Sequence, residues 1–303
     1  MRLRNTLLFA ALALAWGSSF TAIKAGLEFF PPVLFAALRY DLAGLLMFGY
    51  AAYATDRWRP RGRGEWTLVA VGGSLMIAAY HAFLFVGEQG TTSAAAAIVV
   101  SLSPALTTGF ARALLPEERL TAVGTAGLMI GFVGVGVLSE PDPANLLTPE
   151  TVSLGLVFFA AASFALGSVL TRRVEAQLPI ETMEAWSMVT GALLMHAASA
   201  AIGESPAAID WTGEAVLALT YLVVVASALG FLIYFDLLER LGPIEINLVS
   251  YAAPVVAAVT GFAMLDETPT AATAGGFLLI LVGFALVKRR ALREELLALR
   301  PVG

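Results

Sequence analysis

A chain of 303 residues with mean hydropathy +0.81, 58% hydrophobic and only 14% charged residues lies far from the roughly 25% charged residues of soluble domains. It has no cysteine, which excludes disulfides, thiolate chemistry and Cys-ligated metal sites. The net charge of −5 is sorted by side, and basic residues scattered over separate short loops exclude a nucleic-acid face.

Each membrane crossing needs about 20 apolar residues. Ten runs meet that need, at 5–25, 31–53, 66–86, 92–114, 121–139, 152–172, 180–202, 213–236, 244–265 and 271–287. Hydrocarbon offers backbone groups no water, so such runs are helices or closed-barrel strands. Ala-, Leu- and Gly-rich runs without period-2 alternation read as helices. The gaps near 54–65, 140–151 and 203–212 are too short for a separate core. The expected fold is an all-α, multi-pass protein of the cell membrane.

The first run opens with Arg2 and Arg4, and Ala13-Leu14-Ala15 has the look of a signal-peptide cleavage site. Trp16 to Ala25 continues the helix, so this run is read as a retained crossing. It carries Trp16 and Ser19 near the midplane, and Lys24 near one end, where a long side chain can snorkel to water. The second run holds Arg39 and Asp41, two residues apart and therefore about 200° apart around a helix, unable to pair with each other. Buried charges cost about 2.5–3.5 kcal/mol on insertion scales and face an interior or a cavity. Arg39 is a candidate for an anionic substrate group and Asp41 for an ammonium or a proton; both could equally be interhelical links. Tyr80 and His81 in the third run are candidate cavity residues. His196 in the seventh reads as a packed residue, and two histidines without a third ligand do not make a metal site.

The fourth and ninth runs contain Pro104 and Pro254. A helical proline removes one backbone bond and crowds the preceding turn, so both are candidate hinges. Ser103 and Ser250 lie near enough to take up the freed carbonyls. Ser103, Asn247 and Tyr251 are further candidate substrate contacts, although a serine can also bond back to its own helix. Gly124, Gly127, Gly131 and Gly134 in the fifth run form one smooth face for close helix packing. Glu184 and Asp236 lie about a turn from helix ends and are expected to face solvent.

Lys and Arg collect in cytoplasmic loops. Assigning alternate loops to the N-terminal side places sixteen of the eighteen basic residues there. The exceptions, Lys24 and Arg39, lie within helices. The opposite loops carry Glu28, Glu88, Glu140, Asp142, Glu150, Glu204, Asp210, Glu214, Asp266 and Glu267. Both termini are thus expected in the cytoplasm, and an odd number of crossings would destroy the separation.

The chain also repeats itself. Gly17-Ser18 and Thr21 match Gly167-Ser168 and Thr171, Pro104 matches Pro254, and Gly127 and Gly134 match Gly276 and Gly283. Five crossings per copy is an odd number, so the copies, 5–139 and 150–288, are expected to be inverted in the membrane, with 289–303 a short cytoplasmic tail. Inverted repeats with a midplane site are a common transporter architecture.

Ala15-Trp16-Gly17-Ser18-Ser19-Phe20, Leu38-Arg39-Tyr40, Thr92-Ser93-Ala94-Ala95 running to Ser103-Pro104, and Glu118-Arg119-Leu120-Thr121 together resemble the drug/metabolite transporter superfamily, in particular its ten-helix EamA members. The second copy carries Tyr251-Ala252-Ala253-Pro254 and Asp266-Glu267. Pro116-Glu117 departs from the family's usual Gly before the Glu. The resemblance implies a secondary transporter, an exporter of small organic metabolites such as amino acids, working by alternating access. It implies a small-molecule substrate and a lipid bilayer as partners, a proton as a possible coupling ion and no cofactor. The alternatives are a membrane enzyme, or a channel- or receptor-like protein without carrier activity. Neither an HExxH nor a GxSxG motif is present, and neither histidine has an acid beside it in sequence.

Overall fold

The computed structural model describes residues 2–115, 122–139, 147–246 and 248–298. Among them there is helix and no strand. We number the helical rods in chain order. α1 is Arg2–Gly26 and α2 Pro32–Ala54. α3 is Gly62–Glu88 and α4 Ser93–Leu114. α5 is Ala122–Leu138, α6 Pro149–Thr171 and α7 Ile180–Ala201. α8 runs from Gly213 to Ile246, α9 is Val249–Leu265 and α10 Ala271–Ala298.

Local chemistry sets most of the starts. Proline begins α2 and α6 at the first helical turn, where its missing N–H costs nothing. Thr92, Thr148 and Thr212 each accept a backbone N–H three residues on, satisfying a donor that the first turn leaves orphaned. Asp266 closes α9 in the left-handed region at φ 54°.

Six rods, α1, α2, α3, α4, α6 and α8, are long and apolar enough to cross a membrane, and α5, α9 and Ala271–Val287 are shorter apolar helices. α7, which carries Glu181, Glu184 and His196, belongs to neither group. Large apolar side chains such as Leu45, Leu193, Leu217 and Leu278 stand exposed on the outside, as a lipid-facing surface requires. The interior mixes many small residues, among them Ala36, Ala37, Ala160, Ala161 and Ala165, with large ones such as Phe35, Tyr40 and Phe85.

The sequence ends the eighth helix at 236 and begins the ninth at 244. The helix instead continues through Gly242-Pro243 to Ile246. Leu237, Ile246 and Val249 bury together against Leu12 and Ala13 of α1, and that packing overrides the local turn signal.

α5 lies along α10, α2 along α7, α1 along α9, and α3 against α6 and α7. The glycines decide the α5–α10 contact. A Cβ on Gly127 would stand 2.6 Å from the carbonyl oxygen of Gly283, and one on Gly134 would stand 2.8 Å from that of Gly276. The smooth face foreseen on α5 therefore has its partner: the matching glycines of α10.

The connections gather at two ends. Trp186 Nε1 of α7 donates to the Trp58 carbonyl at 3.0 Å, and Thr182 Oγ1 to that of Arg57 at 2.7 Å. This is the basic end. At the acidic end, the Glu204 carboxylate accepts from Val33 N and Leu34 N at 3.0 and 2.8 Å, capping α2. The Glu267 carboxylate likewise accepts from Ser93 N at the start of α4. Lys24 does not reach out to water as the sequence suggests. Its Nζ donates to the carbonyls of Glu88, Gln89 and Thr91 at 2.8–2.9 Å, sealing the C-terminal end of α3. Those three carbonyls lack helical partners, and a lysine at a helix C-terminus satisfies them and complements the dipole.

Candidate functional site

Two rods contain a π-helical stretch, Gly72–Ala79 in α3 and Tyr221–Leu229 in α8. Their first residues stand 149 positions apart, so they occupy matching places in the two copies. π segments are rare and widen the turn, leaving backbone groups open to new partners, often at functional sites. Here each matching carbonyl has found a side-chain donor. Ile77 O accepts from His81 Nδ1 at 2.8 Å, and Ala226 O accepts from Trp16 Nε1 at 3.1 Å. Gly230 holds the position that matches His81, and its missing side chain is what lets the Trp16 indole approach.

Because a carbonyl only accepts, His81 Nδ1 carries the proton. With the buried Arg39 guanidinium nearby, a second ring proton is disfavoured, so Nε2 accepts from Tyr40 O–H at 2.7 Å. His81 is thus a neutral imidazole wedged between Tyr40 and Tyr80, at ring distances of 4.3 and 4.5 Å. Next to Tyr40 on α2, Arg39 is buried, at 6% exposure. Its Nε donates to Ser227 Oγ in the α8 π segment at 3.2 Å. Among the described residues its terminal Nη atoms make no hydrogen bond. Trp16 packs 5.4 Å from Tyr234 and 6.1 Å from Phe231.

Of the sequence candidates, Arg39, Tyr80 and His81 gather around Tyr40, and Trp16 bonds to Ala226, next in the chain to the Ser227 that Arg39 reaches. Asp41 stands apart. It points to the other side of α2, as the 200° separation requires, and its Oδ2 is 2.7 Å from His196 Nε2 of α7, with both side chains more than a third exposed. Ser19 Oγ bonds back to the Trp16 carbonyl at 2.6 Å and Ser103 Oγ to that of Val100 at 2.7 Å. Tyr251 leans on Phe284 of α10, 4.4 Å away, with no partner for its hydroxyl among the described residues. Asn247 lies outside the described residues.

The prolines differ in setting. Pro104 begins the second half of α4, after a break at Ser101–Leu102. The carbonyl its missing N–H leaves free is that of Val100, the one Ser103 takes up. Pro254 sits inside a continuous α9.

Four residues of the centre are not among the site candidates of the sequence. Ser227 and Tyr40 carry its hydrogen bonds, and Tyr234 packs on Trp16. Glu184 is half-buried, with Tyr40 and Tyr234 in electrostatic reach, rather than facing solvent. Asp236 is tied to Arg240 and Arg4 at 2.7 and 3.6 Å. The position of Tyr40 beside Arg39 was the available signal.

An all-helical body, an apolar exterior and a polar centre shared between two copies define an α-helical membrane protein of the transporter class. The chain belongs to the EamA-like transporter family, whose family model matches residues 4–140 and again 151–289. It is 27% identical over 296 residues to the "Uncharacterized transporter YvbV" of Bacillus subtilis, covering 98% of this chain and 95% of that one. It is 29% identical over 275 residues to the "Uncharacterized inner membrane transporter YedA" of Escherichia coli K12, covering 88% and 86%. A "Probable amino-acid metabolite efflux pump" of Salmonella typhimurium is 28% identical over 295 residues, covering 93% and 94%. A solved structure described as "Crystal structure of protein" matches with TM-score 0.65 and 25% identity over 97% of this chain and 100% of its own.

Proposed function

We propose that this protein is a secondary carrier that exports small zwitterionic or anionic metabolites of the amino-acid type. It crosses the cell membrane ten times as two inverted five-helix copies, with both termini in the cytoplasm. The observation that carries this reading is the Arg39–Ser227 bond: a buried cation of the first copy, over the Tyr40 ring, reaches a π-helical turn of the second, its terminal Nη atoms without a hydrogen bond among the described residues. A carboxylate matches that planar fork in a bidentate way, and Trp16, Tyr80 and the neutral His81 supply an aromatic wall for the rest of the molecule. The amino-acid class also follows the printed name of the Salmonella relative. Packing supports the inverted arrangement. Gly127 meets Gly283 while Gly134 meets Gly276, and those pairs exchange under the matching of the copies, as contacts across a two-fold axis do.

In such a carrier the same centre is exposed alternately to each side, and the two copies exchange shapes. Counterflow in proteoliposomes loaded with a panel of amino acids and small organic acids tests the proposal. Accelerated uptake of at least one carboxylate-bearing compound, lost in Arg39→Gln, is the expected result. Transport confined to cations, or unaffected by Arg39→Gln, would overturn it.

A further inference from the structure

Glu88 closes α3 at the acidic end. The residue is 0% exposed, and among the described residues neither carboxyl oxygen has a hydrogen-bond partner. An ionised carboxylate without partners in such a place is strongly disfavoured. Its position makes matters worse, because a helix C-terminus is the negative end of the dipole. The charged groups facing it are Lys24 from α1, Arg39 from α2 and Glu267 from the α9–α10 connection. From α6, the neighbours of Gly87 and Gly90 are Ser153, Leu156, Val157 and Pro149, which do not titrate. From α4 comes Ser93, itself buried with an unpartnered Oγ.

Lys24 is the natural counter-ion, yet its ammonium is seated elsewhere. An ammonium has three N–H donors, and the three carbonyls of Glu88, Gln89 and Thr91 receive them. Nor can Glu267 help, since it is an anion held on Ser93 N. With Glu88 neutral, Lys24 and Glu267 balance each other; with Glu88 ionised, two carboxylates face Lys24, whose donors are taken up by carbonyls, and Arg39, whose Nε is held on Ser227.

We propose that Glu88 is a proton-binding site. Its carboxyl holds a proton while Lys24 is seated on the end of α3, and releases it when the acidic end opens and Lys24 turns to pair with the carboxylate. In the reverse step water at that end supplies the proton, one O–H bond forms on Glu88, and Lys24 remains an ammonium throughout. Closure of the acidic end is thereby tied to uptake of one proton. The site goes beyond the carrier reading, and it can be tested without any substrate.

The test is infrared difference spectroscopy of the full chain in phosphatidylethanolamine–phosphatidylglycerol vesicles, titrated with buffer alone. At neutral pH the wild type should show the carbonyl stretch of a protonated, non-hydrogen-bonded carboxyl, which disappears on alkaline titration. Glu88→Gln should lose that band, and Asp41→Asn should keep it. Lys24→Met removes the counter-ion, so there the band should survive into more alkaline buffer. Glu88→Gln, a neutral isostere, should also melt no lower than wild type. A spectrum unchanged in Glu88→Gln, or a wild type without the band at neutral pH, would overturn the proposal. Should Glu88→Gln fail to fold, the Lys24→Met titration decides: a band that titrates as in wild type is an equally negative result.

Discussion

Gly127 of α5 and Gly283 of α10 meet backbone to backbone, close enough that a Cβ on either would strike the other's carbonyl oxygen at 2.6 or 2.5 Å. Both obstacles are main-chain atoms, which cannot rotate away. Overpacking of this kind costs about 1–3 kcal/mol. Gly127→Ala is therefore expected to lower the melting temperature of the purified protein in detergent. Gly136→Ala is the counterpart, because its Cβ would meet nothing within 4 Å. Removing backbone entropy from an exposed helical glycine stabilises by about 0.5–1 kcal/mol, so this variant should melt at or above wild type. Equal melting of the two variants would show that the glycine face is not a close contact.

The distribution of charge predicts the orientation. The absence of native cysteine gives a clean background. Arg59→Cys at the basic end should react with an impermeant maleimide only in inverted vesicles. Ala207→Cys at the acidic end should react only in intact cells. Labelling of both from one side would remove the ten-crossing, inverted arrangement.

Arg39 is the next test. Lysine keeps the charge but presents a point ammonium in place of a planar fork. Arg39→Lys should reduce counterflow of a carboxylate substrate by about tenfold, equivalent to about 1.4 kcal/mol, and Arg39→Gln should abolish it. Equal rates in Arg39→Lys and wild type would mean that only the charge matters, and that the bidentate contact is wrong.

The unequal settings of the two prolines sharpen a fourth expectation. Pro104 stands at a break whose free carbonyl is occupied by Ser103, whereas Pro254 lies within unbroken helix. Pro104→Ala allows α4 to close the break, so it should slow turnover while leaving substrate affinity within about twofold. Pro254→Ala should do the same but bias cysteine accessibility toward the opposite end. Unaltered rates and accessibility in both would make the bends purely architectural.

Much of this molecule could be read from its residues, and the failures share a cause. Apolar run length shows where helices are, because hydrocarbon leaves the backbone no alternative. It does not separate α from π turns, since both satisfy the backbone within one segment, so the paired π stretches went unseen. The 200° between Arg39 and Asp41 sets them on different faces of α2 but does not say which face meets the second copy. Lys24 was misjudged because its partners are carbonyls, which no side-chain pattern advertises. Glu88 looked like a loop residue, one of ten acids on its side, until α4 and α6 closed over it.

Consider, last, the three charged side chains that tie the acidic end: Glu204 on α2, Glu267 on α4 and Lys24 on α3. Hydrogen bonds to charged groups are each worth about 1.5–3 kcal/mol, and separating that end would put the first two ties at risk across the copies. Water entering the gap would replace most of what is lost, but even a residual deficit of a few kcal/mol leaves the open form at between 0.1 and 10% of the population. An unloaded molecule of this kind would seldom expose its centre to the far side. Leakage is then suppressed by the helix caps themselves, without a dedicated plug.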